Sequence, residues 1–399
     1  MTEQIAIVSA LRTAIGSFNG TLSALPAYKL GSAIIKKILA NTKVAAEELD
    51  QVIMGQVLSG AMGQNPARQA SIDAGVPQEV PAWVVNQVCG SGLKSVMSAY
   101  QYLVSYNTLY NDNSRVLVAG GQESMSSTPH AIYLRNGIKM GDAKLIDMMV
   151  YDGLTDVFGN VHMGITAENI ASKYNISRVE QDEFAAISQN KAEAAQNSGQ
   201  FTDEIIPITI NIPKQDSISF IKDEFVRYGV TKESLGKLKP AFMQNGTVTA
   251  GNSSGINDGA AAVMLMTLSE AKRRNLEPLA IIRSCAQAGV DPSIMGTGPV
   301  PASRKALQLA NWNVQDLDLI EANEAFAVQS IYVNKEMGWD VKKINVNGGA
   351  IALGHPIGAS GTRILVTLLH GLRKRGGGRG LATLCIGGGM GIAMCLQTP

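Results

Sequence analysis

Few side chains in this chain of 399 residues are reactive in isolation. Four cysteines (Cys89, Cys285, Cys385, Cys395) and four histidines (His130, His162, His355, His370) are its strongest candidate nucleophiles and bases. Cys89 lies in Val88-Cys89-Gly90-Ser91-Gly92-Leu93-Lys94, between an apolar run, Val84–Val88, and a helical pattern, Leu93–Tyr102. A thiol at the start of a helix has the positive end of the helix dipole beside it, which favours the thiolate. The adjacent glycines let a substrate approach; the alternative is a cysteine that only fills the core. His355 lies in Asn347-Gly348-Gly349-Ala350-Ile351-Ala352-Leu353-Gly354-His355-Pro356-Ile357-Gly358, an apolar, glycine-rich loop ahead of a helix. It is a candidate general base, or else a hydrogen-bonded structural histidine. Cys385 is delivered by an apolar strand into Gly387-Gly388-Gly389, whose backbone N–H groups could hold an oxyanion. Asn323, in Glu321-Ala322-Asn323-Glu324-Ala325-Phe326, ends another apolar strand, where ligands of parallel sheets gather, although a surface turn would look the same. Cys285 and Cys395 have no such context; Cys395 reads as core.

Several chemistries are excluded by spacing. No CxxC pair exists, so a metal site is not expected. The glycine run near Cys385 lacks GxGxxG and the P-loop lysine. Gly251-Asn252-Ser253-Ser254-Gly255 fits G-x-S-x-G, with Asp291 and His355 following in triad order. A hydrolase needs that serine between a strand and a helix, whereas here Asn257-Asp258-Gly259 reads as a turn and Ala260–Met266 as a strand. Basic and acidic residues nearly cancel, 34 against 33, so no nucleic-acid partner is expected. No apolar run is long enough for a bilayer, and neither Met1–Val8 nor Leu396–Pro399 carries a targeting pattern. A cytoplasmic protein without a membrane partner is expected.

The elements that must hold these residues alternate strand and helix: Ile5–Val8, Tyr28–Ala40, Gln51–Met54, Val84–Val88, Leu93–Tyr102, Arg115–Ala119. This order predicts an α/β chain with parallel sheets covered by helices. The scheme recurs. Leu49 to Cys89 is 40 residues and Leu317 to His355 is 38; Cys89 to Gly120 is 31 and His355 to Gly387 is 32. Leu317-Asp318-Leu319-Ile320 echoes Leu49-Asp50-Gln51-Val52. A duplicated unit follows. Residues 121–247 break the repeat, with helices at Ala167–Tyr174 and Arg178–Asn197 and a strand at Ile205–Ile210 before Pro213-Lys214-Gln215-Asp216. This stretch reads as an insertion carrying substrate recognition.

Cys89, Asn323-Glu324-Ala325-Phe326, Gly354-His355-Pro356 and Cys385-Ile386-Gly387 together, in this order, resemble the thiolase family. The likeness runs from Val8-Ser9-Ala10-Leu11-Arg12-Thr13 to Gly387-Gly388-Gly389-Met390-Gly391. It implies a thiolase-like α/β fold: two duplicated halves packed as αβαβα layers with an inserted loop domain. Residues 1–120 (completed by about 248–270) would form the N-terminal half, 121–247 the loop domain and 271–399 the C-terminal half. It further implies that Cys89 takes an acyl group from coenzyme A, that His355 activates Cys89, and that Cys385 removes an α-proton. Asn323 would hold a water in one oxyanion hole, and the Cys89 and Gly387 N–H groups would form another. His162-Met163-Gly164 resembles the short-chain, acetoacetyl-specific branch; the alternative is a degradative 3-ketoacyl-CoA thiolase of broader chain length. By the same resemblance His162, Met163, Arg227, Phe242, Ala250, Ser254, Met295, Ala325 and Phe326 line the coenzyme A path. Coenzyme A thioesters are then substrates, no cofactor is permanently bound, and a homo-oligomer, tetramer or dimer, is expected.

Overall fold

The computed structural model describes residues 3–211 and 216–398; Pro213, Lys214 and Gln215 of the polar stretch noted above lie outside the described residues. Nine strands carry the architecture: β1 (Ile5–Thr13), β2 (Gln51–Gly55), β3 (Ala82–Val85), β4 (Val116–Ser124), β5 (Asn257–Thr267), β6 (Ala280–Gly289), β7 (Leu319–Ala322), β8 (Arg379–Ile386) and β9 (Met390–Gln397). They run in one hydrogen-bonded series, β7-β8-β9-β6-β1-β5-β4-β2-β3. The series is the same sheet twice, joined where β1 meets β6 at Ala6–Ile281 and Ile7–Ala280. In the second copy the place of β3 is taken by Ile344, bridged in parallel to Ile320 of β7.

The repeat extends to individual hydrogen bonds. The Asp50 N–H donates to the Val116 carbonyl while its carboxylate accepts from the Val116 N–H; Asp318 does the same with Arg379, all four contacts being 2.8 Å. The echo of Leu317-Asp318 to Leu49-Asp50 is therefore a shared clasp that starts the parallel pair in each half. The sheets are not wholly parallel as predicted. Among the nine strands only β2–β3, β2–β4 and β7–β8 are parallel, and β5 and β9 run antiparallel to both neighbours. For β9 the reason is plain: the short glycine turn after β8, with Gly388 and Gly389 at positive φ, can only reverse the chain.

Helices form three layers around the two sheets. On the outer face of the first, α1 (Ala27–Thr42) and α2 (Pro66–Asp73) pack on a core that includes Leu30, Ile34, Ile35 and Ile38, one stripe of α1. On the outer face of the second lie α6 (Pro299–Ala310) and α7 (Ala327–Met337), with Cys395 buried in their core. Between the sheets run α3 (Ser91–Tyr110) and α8 (Ile357–Lys374). Helix α8 is buried on every face from Ile357 to Leu369, as a helix sandwiched between sheets must be. Residues 125–256 contribute α4 (Met163–Tyr174), α5 (Arg178–Asn197) and short strands at Ile205–Ile206, Ile208–Ile210 and Ile218–Phe220. Arg12 of β1, fully buried, stitches this segment to the sheet by ion pairs to Glu204 (2.6 Å) and Asp223 (2.7 Å). Among the described residues no helix is long and apolar enough to cross a membrane.

Two local expectations change. Gly120-Gly121 lies inside β4, which continues to Ser124, because glycine is required there: a Cβ on Gly120 would stand 2.2 Å from the Ala261 carbonyl oxygen, and one on Gly121 2.1 Å from that of Gly358. Asn257-Asp258-Gly259 is the start of β5, not a turn; Asn257 pairs with Ser17 and Asp258 with Gly16 and Ser124.

Candidate active site

The apolar run before Cys89 stops short of it. Strand β3 ends at Val85, and Val88 adopts φ 46°, a left-handed conformation that a β-branched residue rarely tolerates. Strain of roughly 1–3 kcal/mol is held at this turn by the Ser91 hydroxyl, which donates to the Val88 carbonyl (2.7 Å) and accepts from the Gln87 N–H (2.8 Å). The turn leaves Cys89 two residues ahead of α3. His355 stands two residues ahead of α8, the equivalent place in the second half. The two helices touch near these ends, where the Thr362 hydroxyl donates to the Gly92 carbonyl at 2.8 Å. Gly92 and Gly361 permit the contact: a Cβ on Gly361 would lie 2.3 Å from the Leu93 nitrogen. Duplication thus brings two helix N-termini, one carrying a thiol and one an imidazole, to a single point.

The imidazole is fixed in one tautomer. Ser360 donates its hydroxyl hydrogen to the Pro356 carbonyl (2.9 Å), so at His355 Nδ1 (2.5 Å) it accepts. Nε2 is left bare, 3.5 Å from Asn323 Nδ2. Burial drives the His355 pKa down to about 3, helped by the charge of Arg363, so the ring is neutral and available as a base. Burial also pushes the Cys89 thiol up to about 11, against the pull of the Gly387 N–H that points at its sulfur. The direction of this shift runs against the thiolate that a helix start favours. Cys385 is fully buried, its pKa raised by burial and then by the nearby Cys89. The Asn323 N–H donates to Thr383 (2.9 Å), two residues before Cys385, and Asn323 Oδ1 is buried without a partner.

A cavity of about 330 Å³ leads to this point. His162, Met163, Arg227, Phe242, Ala250, Ser254, Phe326 and His355 line it, joined by residues that sequence reasoning missed, among them Phe18, Met125, Phe225 and Ile357. Cys89, Cys385, Asn323 and Gly387 do not line it; Cys385 packs with Met163 in one apolar cluster, and Asn323 adjoins His355. Met295 and Ala325 do not line the cavity; they pack with Met163, Phe326 and Cys385 in the apolar cluster beneath it. His162 caps α4, its Nδ1 accepting from the Gly164 N–H (3.0 Å), and stacks on Phe242 at 4.7 Å. Burial lowers its pKa. Gly164 makes room for that stack, since a Cβ there would meet the Phe242 ring at 2.2 Å. Arg227 is exposed at the rim, its guanidinium over Phe225.

Three supporting residues were missed. Asn257 Oδ1 accepts from the His355 N–H (2.9 Å). Glu123, fully buried, accepts from the N–H groups of Val57, Leu58 and Gly358 beside Cys89. Ser360 was legible in principle, as a serine one helical turn after a proline that opens a helix; Asn257 and Glu123 are brought in only by the tertiary fold. The G-x-S-x-G segment forms no elbow: Ser253 donates to the Thr249 carbonyl (2.7 Å), Asp291 caps the turn at Ser293, and β5 follows.

Comparison with known proteins agrees with this arrangement. The thiolase N-terminal domain matches residues 5–269 and the thiolase C-terminal domain residues 276–398. The chain belongs to the thiolase family. It is 58% identical to the acetyl-CoA acetyltransferase of Rhizobium meliloti over 98% of both chains. It is 54% identical to the cytosolic acetyl-CoA acetyltransferase of Mus musculus, over 99% of this chain and 98% of that one. A crystal structure of the Bacillus anthracis acetyl-CoA acetyltransferase superposes with TM-score 0.95 at 41% identity, covering 100% of this chain and 99% of that one.

Proposed function

We propose that this thiolase is an acetyl-CoA C-acetyltransferase, which condenses two acetyl-CoA to acetoacetyl-CoA and coenzyme A and runs in reverse as a thiolase. The observation that carries the reading is the bare Nε2 of a neutral His355 on one central helix end, opposite the Cys89 thiol on the other. His355 takes the thiol proton as sulfur attacks the thioester. A Cys89–acetyl bond forms, the bond to coenzyme A sulfur breaks, and coenzyme A leaves with the proton. The Cys89 and Gly387 N–H groups hold the oxyanion of that step. Cys385 then gives its proton to His355 Nε2 and, as the thiolate, removes an α-proton from a second acetyl-CoA; the enolate oxygen is held by that Nε2–H and by a water on Asn323, whose Oδ1 lacks a protein partner. The enolate carbon attacks acetyl-Cys89, the C–S bond breaks, and Cys385 returns a proton to Cys89 and recovers its own from His355. A buried thiol of raised pKa makes a strong base once ionised, which α-proton removal requires.

Labelled acetyl-CoA tests this. One acetyl group per chain on Cys89 is expected, with none in Cys89→Ser and turnover lost. Label on Cys385 alone would reverse the roles, and no label would remove the covalent mechanism. Acyl length is set where the His162–Phe242 stack and Met163 close the cavity. Acetoacetyl-CoA is expected to exceed a long 3-ketoacyl-CoA in kcat/KM by at least about tenfold. Equal values would favour the broader degradative enzyme.

The same reading makes residues 121–247 the recognition insert between halves 1–120 (with 248–270) and 271–399, since His162, Met163, Arg227 and Phe242 all come from it. It takes the protein to be a cytoplasmic homo-oligomer, tetramer or dimer. Exposed Tyr133, Leu134, Met140 and Leu145 in the insert support contact with another copy, and the cytosolic mouse relative supports the location.

A further inference from the structure

The sequence singles out Asn347-Gly348-Gly349 and Glu324, yet the mechanism uses neither. Glu324 follows Asn323 directly and is 2% exposed. Its carboxylate accepts three hydrogen bonds from three different parts of the chain. Ser188 of α5 donates to Oε2 at 2.6 Å, Asn345 Nδ2 donates to Oε1 at 2.8 Å, and the Ile351 N–H donates to Oε2 at 3.3 Å. Asn345 in turn clamps the end of β7, accepting from the Ala322 N–H (2.9 Å) and donating to the Ala322 carbonyl (2.8 Å). Ser188 also accepts from the Gly349 N–H at 3.0 Å. The glycines explain themselves here. A Cβ on Gly349 would stand 2.2 Å from the Glu324 carboxyl carbon, and one on Gly348, at φ 80°, 2.7 Å from Ala192 and from the Ser188 carbonyl oxygen. The loop that leads to His355 can lie against the carboxylate and α5 only without side chains at these positions.

We propose that Glu324 is a positioning residue, the common anchor that fixes the Asn323 segment, the 345–355 loop bearing His355 and the recognition insert relative to one another. The inference rests on the acetyltransferase reading above and extends it to a residue that touches no substrate. The 3.5 Å approach of Asn323 Nδ2 to His355 Nε2 is set by two backbone segments that have this carboxylate in common. The Cys89 and Gly387 N–H groups are not tied to it. Asn345 Nδ2 at Oε1 and the Ile351 N–H at Oε2 can only donate, so the anchor must accept on both oxygens. Glutamine keeps the shape but turns an NH₂ toward either Asn345 Nδ2 or the Ile351 N–H, a donor facing a donor. Asn345 cannot flip to relieve this without breaking both of its contacts to Ala322.

The test compares wild type, Glu324→Gln and Ser188→Ala in three measurements: acetyl label on Cys89 per chain, steady-state thiolysis of acetoacetyl-CoA, and exchange of acetyl-CoA α-hydrogens with deuterated solvent. Glu324→Gln is expected to accept close to one acetyl group per chain. Its kcat per labelled site should fall about 10- to 100-fold, the scale of an ångström-level misplacement, with KM changed less than threefold. Solvent exchange should fall in parallel, and Ser188→Ala, which removes one of the three donors, should show a smaller loss of the same kind. A fold-maintaining role alone would lower the labelled fraction and the melting temperature while leaving kcat per labelled site at the wild-type value, and that result would overturn the inference. If Glu324→Gln does not fold, Ser188→Ala decides by the same ratio. Absence of label on wild type would instead overturn the acetyltransferase reading.

Discussion

The different work proposed for two cysteines of one chain rests on their different surroundings. Cys89 is 9% exposed, precedes a helix and has the Gly387 N–H on its sulfur, whereas Cys385 is wholly buried at a strand end with no donor from another residue. Cys385→Ala is therefore expected to leave acetylation of Cys89 intact while α-hydrogen exchange of acetyl-CoA with deuterated solvent falls by about 10² or more, the usual worth of a general base. Mass spectrometry of substrate and protein reads both. Exchange at the wild-type rate would hand the base role to His355. Candidate residues of this kind were legible because each stands in a local pattern: a thiol beside glycines, a histidine in a glycine–proline loop, a cysteine at the mouth of a glycine run. Asn257 and Glu123 carry no such pattern. Each is a polar residue in a strand, and only the fold shows that one holds the His355 backbone and the other gathers three N–H groups behind Cys89.

At the scale of elements, the crossing of α3 and α8 sets the distance between thiol and imidazole. Gly361→Val would force a Cβ to within 2.3 Å of the Leu93 backbone nitrogen, where no flexible side chain can yield. We expect a loss of at least about 1–3 kcal/mol in denaturant unfolding, as for overpacked cores, and a drop in Cys89 acetylation among the molecules that remain folded. Unchanged stability would show that the helices slide apart freely. The sequence marked most elements well, α5 (Arg178–Asn197) to the residue, because apolar stripes and caps are local. It misread what is decided by partners. The polar Asn257-Asp258-Gly259 looks like a turn, but neighbouring strands on both sides make it the start of β5. Val84–Val88 looks like an unbroken strand, but Val88 reverses its φ to set up Cys89.

The molecule as a whole buries several carboxylates, and its stability should record them. Burial lifts the Glu123 pKa to about 7 against three N–H donors, with Asp258, itself raised, adding repulsion. A carboxyl whose folded pKa exceeds its unfolded value stabilises the fold fully below the unfolded value, near 4.5, and loses that contribution as pH rises to 7. Glu123→Gln does not titrate. Whatever its overall stability, the wild type should lose ground to it as pH rises from 5 to 7, by at most about 1.4 kcal/mol per pH unit. Thermal unfolding across that range measures it, and a gap independent of pH would refute it. The duplicated architecture was visible in the matched spacings, while the β1–β6 seam that fuses the copies was not, since two pairs of residues make it. That union of halves also has a bearing on how the protein comes into being. A ribosome releases Cys89 long before it has made His355 or Cys385, and until α8 arrives the inner faces of β4 and β5 are covered only in part, by α3. The same late helix thus covers the remaining apolar surface and brings the imidazole to the thiol in one step.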